Sequence, residues 1–145
     1  MIQYVLKQNK TSLERMKDKW YPVAVSTETI DLDALAKHMS LHNTPFSKGA
    51  IRGILTDMVS CIKELILEGK SVKIDDLAIF SASIKSRMVD NPSDFSVVND
   101  VKGVKMRALA TGELSRKAIS LEASLREKSN YTSPRSESDS ETTEG

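Results

Sequence analysis

The stretch ILEGKSVKIDDLAIFSASIKSR, residues 66–87, decides the fold. Gly69 follows the last residues of an apolar helical stripe and supplies the left-handed conformation at which helices commonly end. Ser71–Ile74 then alternates polar and apolar, Asp75 and Asp76 favour a turn, and Leu77–Lys85 resumes the period of two. The segment therefore predicts a long helix running straight into a β-hairpin.

Working toward the N-terminus, Ile51, Ile54, Leu55, Met58, Ile62, Leu65 and Ile66 form a stripe sustained over several helical turns, with Ser47 placed to cap it. Pro45 interrupts the pattern. Before it, Leu32, Leu35, Ala36 and Met39 recur at helical spacing behind Asp31, a good N-cap. Farther back, Gln3–Lys7 and Trp20–Ser26 read as strands joined by a polar loop, and Pro22 confines the second to an edge. Toward the C-terminus, Ser86–Lys102 is a polar excursion containing Asn91 and Pro92, after which Val104, Met106 and Ala108 alternate before Gly112. This predicts a projecting arm between two strands. Leu114, Ala118, Leu121 and Leu125 then predict a last helix.

Bulk composition sets limits. The 145 residues include 39% hydrophobic and 5% aromatic residues, a modest supply for a core, and small chains of this kind commonly gain buried area by oligomerising. A single cysteine, Cys61, excludes an intramolecular disulfide and fits a reducing compartment. The N-terminal residues lack a signal-peptide apolar core, and no run of apolar residues is long enough to span a bilayer, so no membrane association is expected. Net charge is +1, with the excess of Lys and Arg upstream of residue 123 and an excess of acid beyond it. Residues 129–145, rich in Ser, Thr and Glu, read as a disordered acidic tail. Its serines 136, 138 and 140 precede acidic residues, a context open to phosphorylation.

In its residues, too, the chain resembles the HU/IHF family of bacterial histone-like proteins. Leu35, Ala36 and Lys37 are similar to the first family helix, residues 66–87 to the helix exit and first hairpin, and RALATGELSRKAI (Arg107–Ile119) to the strand after the arm and the closing helix. The N-terminal extension with WYPVAVS (Trp20–Ser26) resembles the HU-related variant of the Bacteroidetes group. The resemblance implies an α+β fold: two helices, a three-stranded antiparallel sheet with a protruding β-arm, and a C-terminal helix, preceded by an extra β-hairpin. It places an N-terminal β extension at 1–29, an HU-like domain at 30–128 with the arm at about 84–105, and the tail at 129–145.

It further implies an intertwined homodimer packed through Ile51, Leu55, Met58, Ile62, Leu65 and Phe80. The implied partner is double-stranded DNA in the bacterial nucleoid and cytoplasm, bent with little sequence preference. One departure is that the family's Gly-Phe-Gly turn is here Asp76, Leu77 and Ala78, so the turn must be built differently.

Candidate DNA contacts are Lys70, Lys73, Lys85, Arg87, Lys102, Lys105, Arg107, Arg116 and Lys117, each of which also reads as a solvated surface charge. Asn91 and Pro92 match the family's arm tip, where a proline wedges between base steps; Asn-Pro is equally an ordinary turn initiator. The arm is lightly charged: residues 81–107 carry five Lys or Arg against three Asp, a net of +2. That sparseness leaves room for a second function, an HU-fold interaction module whose N-terminal strands and acidic tail engage a protein partner. His38 and His42 have the i, i+4 spacing of a two-histidine metal site, with no third ligand evident, and no metal or cofactor is expected. Asp75 and Asp76 belong to a turn. With no nucleophile–base pair and no phosphate-cradling glycine loop, no enzymatic activity is expected.

Overall fold

The computed structural model describes residues 1–134. The chain divides into two compact units, one formed by residues 1–29 with the segment from Glu122 onward, the other by Ile30–Leu121. Serines 136, 138 and 140 lie outside the described residues.

In the larger unit, α1 (Leu32–Ser40) and α2 (Lys48–Leu67) are capped as their sequences predict. The Asp31 carboxylate accepts the amide of Ala34 at 2.8 Å and the Ser47 hydroxyl accepts that of Ala50 at 3.2 Å, each satisfying a donor that a helix start leaves unpaired. Asp33, in the first turn of α1, pairs with Lys48 at 2.6 Å and Arg52 at 3.5 Å, tying the two helices together. At the far end of α2, Gly69 has φ +82°, its amide donates to the Ile66 carbonyl at 2.9 Å and that of Lys70 to Leu65 at 3.0 Å. These two crossed bonds form a Schellman closure, which requires the left-handed residue that glycine supplies without strain.

The chain leaves this closure directly into β3 (Val72–Ile74) and β4 (Ala78–Ser86), which pair with β5 (Val101–Ala110) in an antiparallel sheet of order β3-β4-β5. The turn that lacks the family's glycines is built on Asp76, which takes φ +60°, a conformation short acidic side chains tolerate. Its carboxylate accepts the Glu113 amide at 3.4 Å. Gly112, at φ +54°, passes so close that a Cβ there would stand 2.9 Å from the Asp76 Cα. The two glycines of the usual turn are thus replaced by one aspartate and a glycine brought in from after β5.

The closing helix departs from its sequence periodicity. Gly112–Leu114 forms a 3-10 turn, and α4 spans only Arg116–Glu122. Leu125 does not extend it: Leu125–Glu127 is β6, paired parallel to β1 (Ile2–Gln8). The smaller unit is therefore a three-stranded sheet of order β2-β1-β6, with β2 (Trp20–Val25) antiparallel to β1. Pro22 sits in that edge strand, as its missing amide demands. Beyond β6, the Lys128 amide donates to the Tyr4 carbonyl at 2.9 Å, and the Tyr131 hydroxyl accepts the Leu6 amide at 3.2 Å while donating to Glu127.

Among the described apolar residues, only Ala36, Ile51, Ile62 and Ala78 are buried. That is a small core for a chain of this length.

Candidate functional site

The β4–β5 ladder sorts its side chains by register. Ser81 faces Arg107, Ser83 faces Lys105 and Lys85 faces Gly103, so Lys85, Lys105 and Arg107 share one face of the hairpin. The intervening pairs Phe80 with Ala108, Ala82 with Met106 and Ile84 with Val104 make the opposite face apolar. Lys102 is the unpaired residue of a β-bulge between the Lys85–Gly103 and Ser86–Val101 pairs, outside the regular alternation of the two faces.

The apolar face is open. Ile84, Val104 and Met106 are 67%, 66% and 57% exposed. Next to them, Phe80, Val104 and Met106 join Met58, Ile62 and Ile66 of α2 around a groove of about 390 Å³, with Lys63 and Lys105 also contributing to its wall. Of the residues expected at a dimer interface, Met58, Ile62 and Phe80 line this groove; Ile51 is buried within the chain, and Leu55 and Leu65 are half-buried.

Residues 87–100, which link β4 to β5, form a closed loop rather than a bare turn. The Arg87 amide donates to the Asp100 carbonyl at 3.0 Å and the Arg87 guanidinium is paired with the Asp100 carboxylate. That carboxylate also accepts the Ser96 amide at 2.7 Å. Asp100 lies in a single helical turn, α3 (Val97–Asp100), and its side chain is completely buried. The Ser96 hydrogen bond first, and Arg87 second, hold its pKa below the ordinary aspartate value. Within the loop, Pro92 opens a 3-10 turn (Pro92–Asp94), and the Asn91 side chain donates to Asp94 at 3.3 Å. Asn91 and Pro92 thus serve as turn formers and sit exposed, while Met88 and Val98, at 99% and 90% exposure, are the most prominent apolar groups of the loop.

The remaining candidate cations are scattered. Lys70, between α2 and β3, pairs with Glu68; Lys73 in β3 lies 3.5 Å from Asp75. Arg116 and Lys117 are exposed in the first turn of α4. The structure therefore brings together Lys85, Lys105 and Arg107 and commits Arg87 to Asp100. Sequence reasoning counted Asp100 only as a charge; its role depends on facing Arg87 across the loop, which no local pattern reveals.

The family model for an HU domain fused to a winged helix-turn-helix, Ig or glycine-rich motif matches residues 1–123. The chain belongs to this HU-HIG family. The match includes β1 and β2 of the smaller unit as well as the whole larger unit, so the N-terminal extension is part of the family pattern. A crystal structure from Bacteroides vulgatus ATCC 8482, provisionally assigned as a bacterial DNA-binding protein, is similar at a TM-score of 0.60 and 15% identity over 88% of this chain. That likeness is one of fold, and the chain spans only 47% of the neighbour's length. No curated protein matches the chain. Among the described residues, no helix of this HU-HIG member is long and apolar enough to cross a membrane.

Proposed function

We propose that this HU-HIG chain is a non-enzymatic architectural module that binds duplex DNA as a homodimer and bends it with little sequence preference. The observation that carries the reading is the two-sided β4–β5 hairpin, basic on one register face and apolar on the other. Clustered Lys and Arg on an extended hairpin suit phosphate contacts, which position a protein on DNA without reading bases. The apolar face and its groove call for a cover, and a second copy of the chain presenting the same surface supplies one through a twofold interface. The DNA-binding assignment of the structural neighbour lends support.

In this reading Lys85, Lys105 and Arg107 grip the backbone and the loop from Arg87 to Asp100 enters the minor groove, where Pro92 acts as the wedge known from HU and IHF. The Asp100 clasp gives the loop a defined shape before DNA arrives, which lowers the ordering cost of binding. It also occupies Arg87, leaving fewer cations for phosphate, so binding is weaker and its salt slope shallower than the arm's full count of cations would give. The test is energy transfer between the labelled ends of a duplex at low salt. Pro92→Ala is expected to reduce bending more than affinity. Unchanged bending removes the wedge assignment, and failure of the parent chain to form any complex with a long duplex at low salt favours an interaction module instead.

A further inference from the structure

The C-terminal turn of α1 carries an arrangement that the DNA reading neither uses nor requires. His38 lies in the last turn of the helix and His42 just beyond its cap, Leu41. Amide bonds from Leu41 to His38 and from His42 to Met39, both 3.1 Å, keep the chain wound past the helix end. The two imidazoles therefore fall on one side of the turn. Their rings meet edge to face at a centroid distance of 4.7 Å, and their Nε2 atoms converge to 3.1 Å.

We propose that His38 and His42 form a two-histidine chelate for one divalent transition-metal ion of the nitrogen-preferring class, such as Zn²⁺, Ni²⁺ or Cu²⁺. The separation fits the chemistry. At metal–nitrogen distances of about 2.0–2.1 Å, two nitrogens 3.1 Å apart subtend an angle of roughly 95–102° at the metal. This lies between the octahedral and tetrahedral values, so the nitrogen separation suits either geometry. With no metal the two Nε2 atoms lie within hydrogen-bond distance, so one ring donates to the other; to bind an ion, the donor ring carries its proton on Nδ1 instead and both rings turn until their Nε2 lone pairs meet at the metal. Both residues are exposed, so each Nδ1–H turns to water without a desolvation cost.

Two features of the surroundings act on the ion. The helix C-terminus places partial negative charge toward it, opposed by the neighbouring Lys37. Ile30, Ala34, Leu35 and Leu41 line an open apolar hollow beside His38. Among the described residues no group of three or more His, Cys, Asp or Glu could hold a metal, so water fills the open positions. A site of this composition prefers Cu²⁺ over Ni²⁺ and Zn²⁺ and ignores Mg²⁺.

The experiment is isothermal titration of the full chain, produced without a polyhistidine tag and carrying Cys61→Ser to remove the exposed thiol, with NiCl₂, ZnCl₂ and MgCl₂. One Ni²⁺ or Zn²⁺ is expected per chain, with no response to Mg²⁺. His38→Ala and His42→Ala should each weaken binding on the order of a hundredfold, because losing one arm of a chelate forfeits its effective concentration. Far-UV circular dichroism, unchanged in both variants, excludes unfolding as the cause. Affinity retained in either variant, no saturable Ni²⁺ or Zn²⁺ binding up to millimolar metal, or equal uptake of Mg²⁺ overturns the proposal.

Discussion

The register of the β4–β5 hairpin makes a quantitative prediction about which lysines hold DNA. Lys85, Lys105 and Arg107 share a face, whereas Lys102 stands unpaired at the bulge, off that regular row. Three such cations per chain become six in a dimer. At about 0.9 of slope per phosphate contact, log K against log salt should then run near −5.4. A fourfold rise in salt, from 50 to 200 mM, would weaken the parent complex on the order of 2,000-fold.

Lys105→Ala removes one contact from each protomer, bringing the slope to about −3.6 and the loss over the same range to roughly 150-fold. Lys102→Ala leaves the slope at its parent value. Anisotropy of a labelled duplex, titrated at five or six salt concentrations, reads both slopes directly, and the lines for parent and variant should converge toward high salt. The assignment of the grip to the regular row of the ladder is refuted if Lys102→Ala flattens the slope as much as Lys105→Ala does, or if Lys105→Ala leaves it unchanged.

Three other outcomes are expected. Gly112→Ala combines a left-handed backbone at φ +54° with a Cβ 2.9 Å from the Asp76 backbone; a cost of about 2 kcal/mol and a Tm lower by roughly 5–10 °C should follow, and an unaltered melting curve would mean that the turn has slack. Met106→Glu puts a charge on the open apolar face, and sedimentation at micromolar protein should show one chain where the parent shows two; a variant that stays dimeric sends the interface elsewhere. Asp33, lowered chiefly by the Lys48 hydrogen bond, and Asp100 both have folded-state pKa values depressed from the ordinary one. Their contribution is complete above the ordinary aspartate value and is lost as pH falls through the depressed values. The urea midpoint should drop steeply below about pH 4, and less steeply in Asp33→Asn; an equal drop in the two proteins would mean that Asp33 contributes nothing.

Where local chemistry sets the structure, the sequence was readable. Asp31 and Ser47 cap because a helix start needs acceptors, Gly69 closes because the last turn needs a left-handed residue, and Pro22 sits at an edge because it has no amide to give. The period-two alternation found β4 and β5, although not their pairing. Legibility failed where distant segments decide. Leu125 fits the spacing of a helix, yet its neighbours hydrogen-bond to β1, more than a hundred residues earlier, and the ladder outcompetes one further helical turn. The Asp76 turn was recognisable as irregular, but the glycine that completes it, Gly112, comes from beyond β5. The histidine spacing was visible; the convergence of the two rings depends on side-chain rotamers and on a turn that stays wound past its cap.

The arm shows most plainly why a charge count and a charge arrangement are different quantities. Summed along residues 81–107, five cations against three acids leave a net of +2, which suggests a uniformly weak attraction for phosphate. In three dimensions one acid, Asp100, is withdrawn from solvent entirely and engages Arg87, whose side chain stays exposed. That pair is neutral to an approaching polyanion but fixes the loop between them. What remains is a basic face of Lys85, Lys105 and Arg107 on the ladder and Lys102 at the bulge, with Asp90 and Asp94 confined to the loop. The same inventory of charges thus becomes a polarised arm: a grip along the strands, and a tip whose shape, rather than its charge, governs what it can enter.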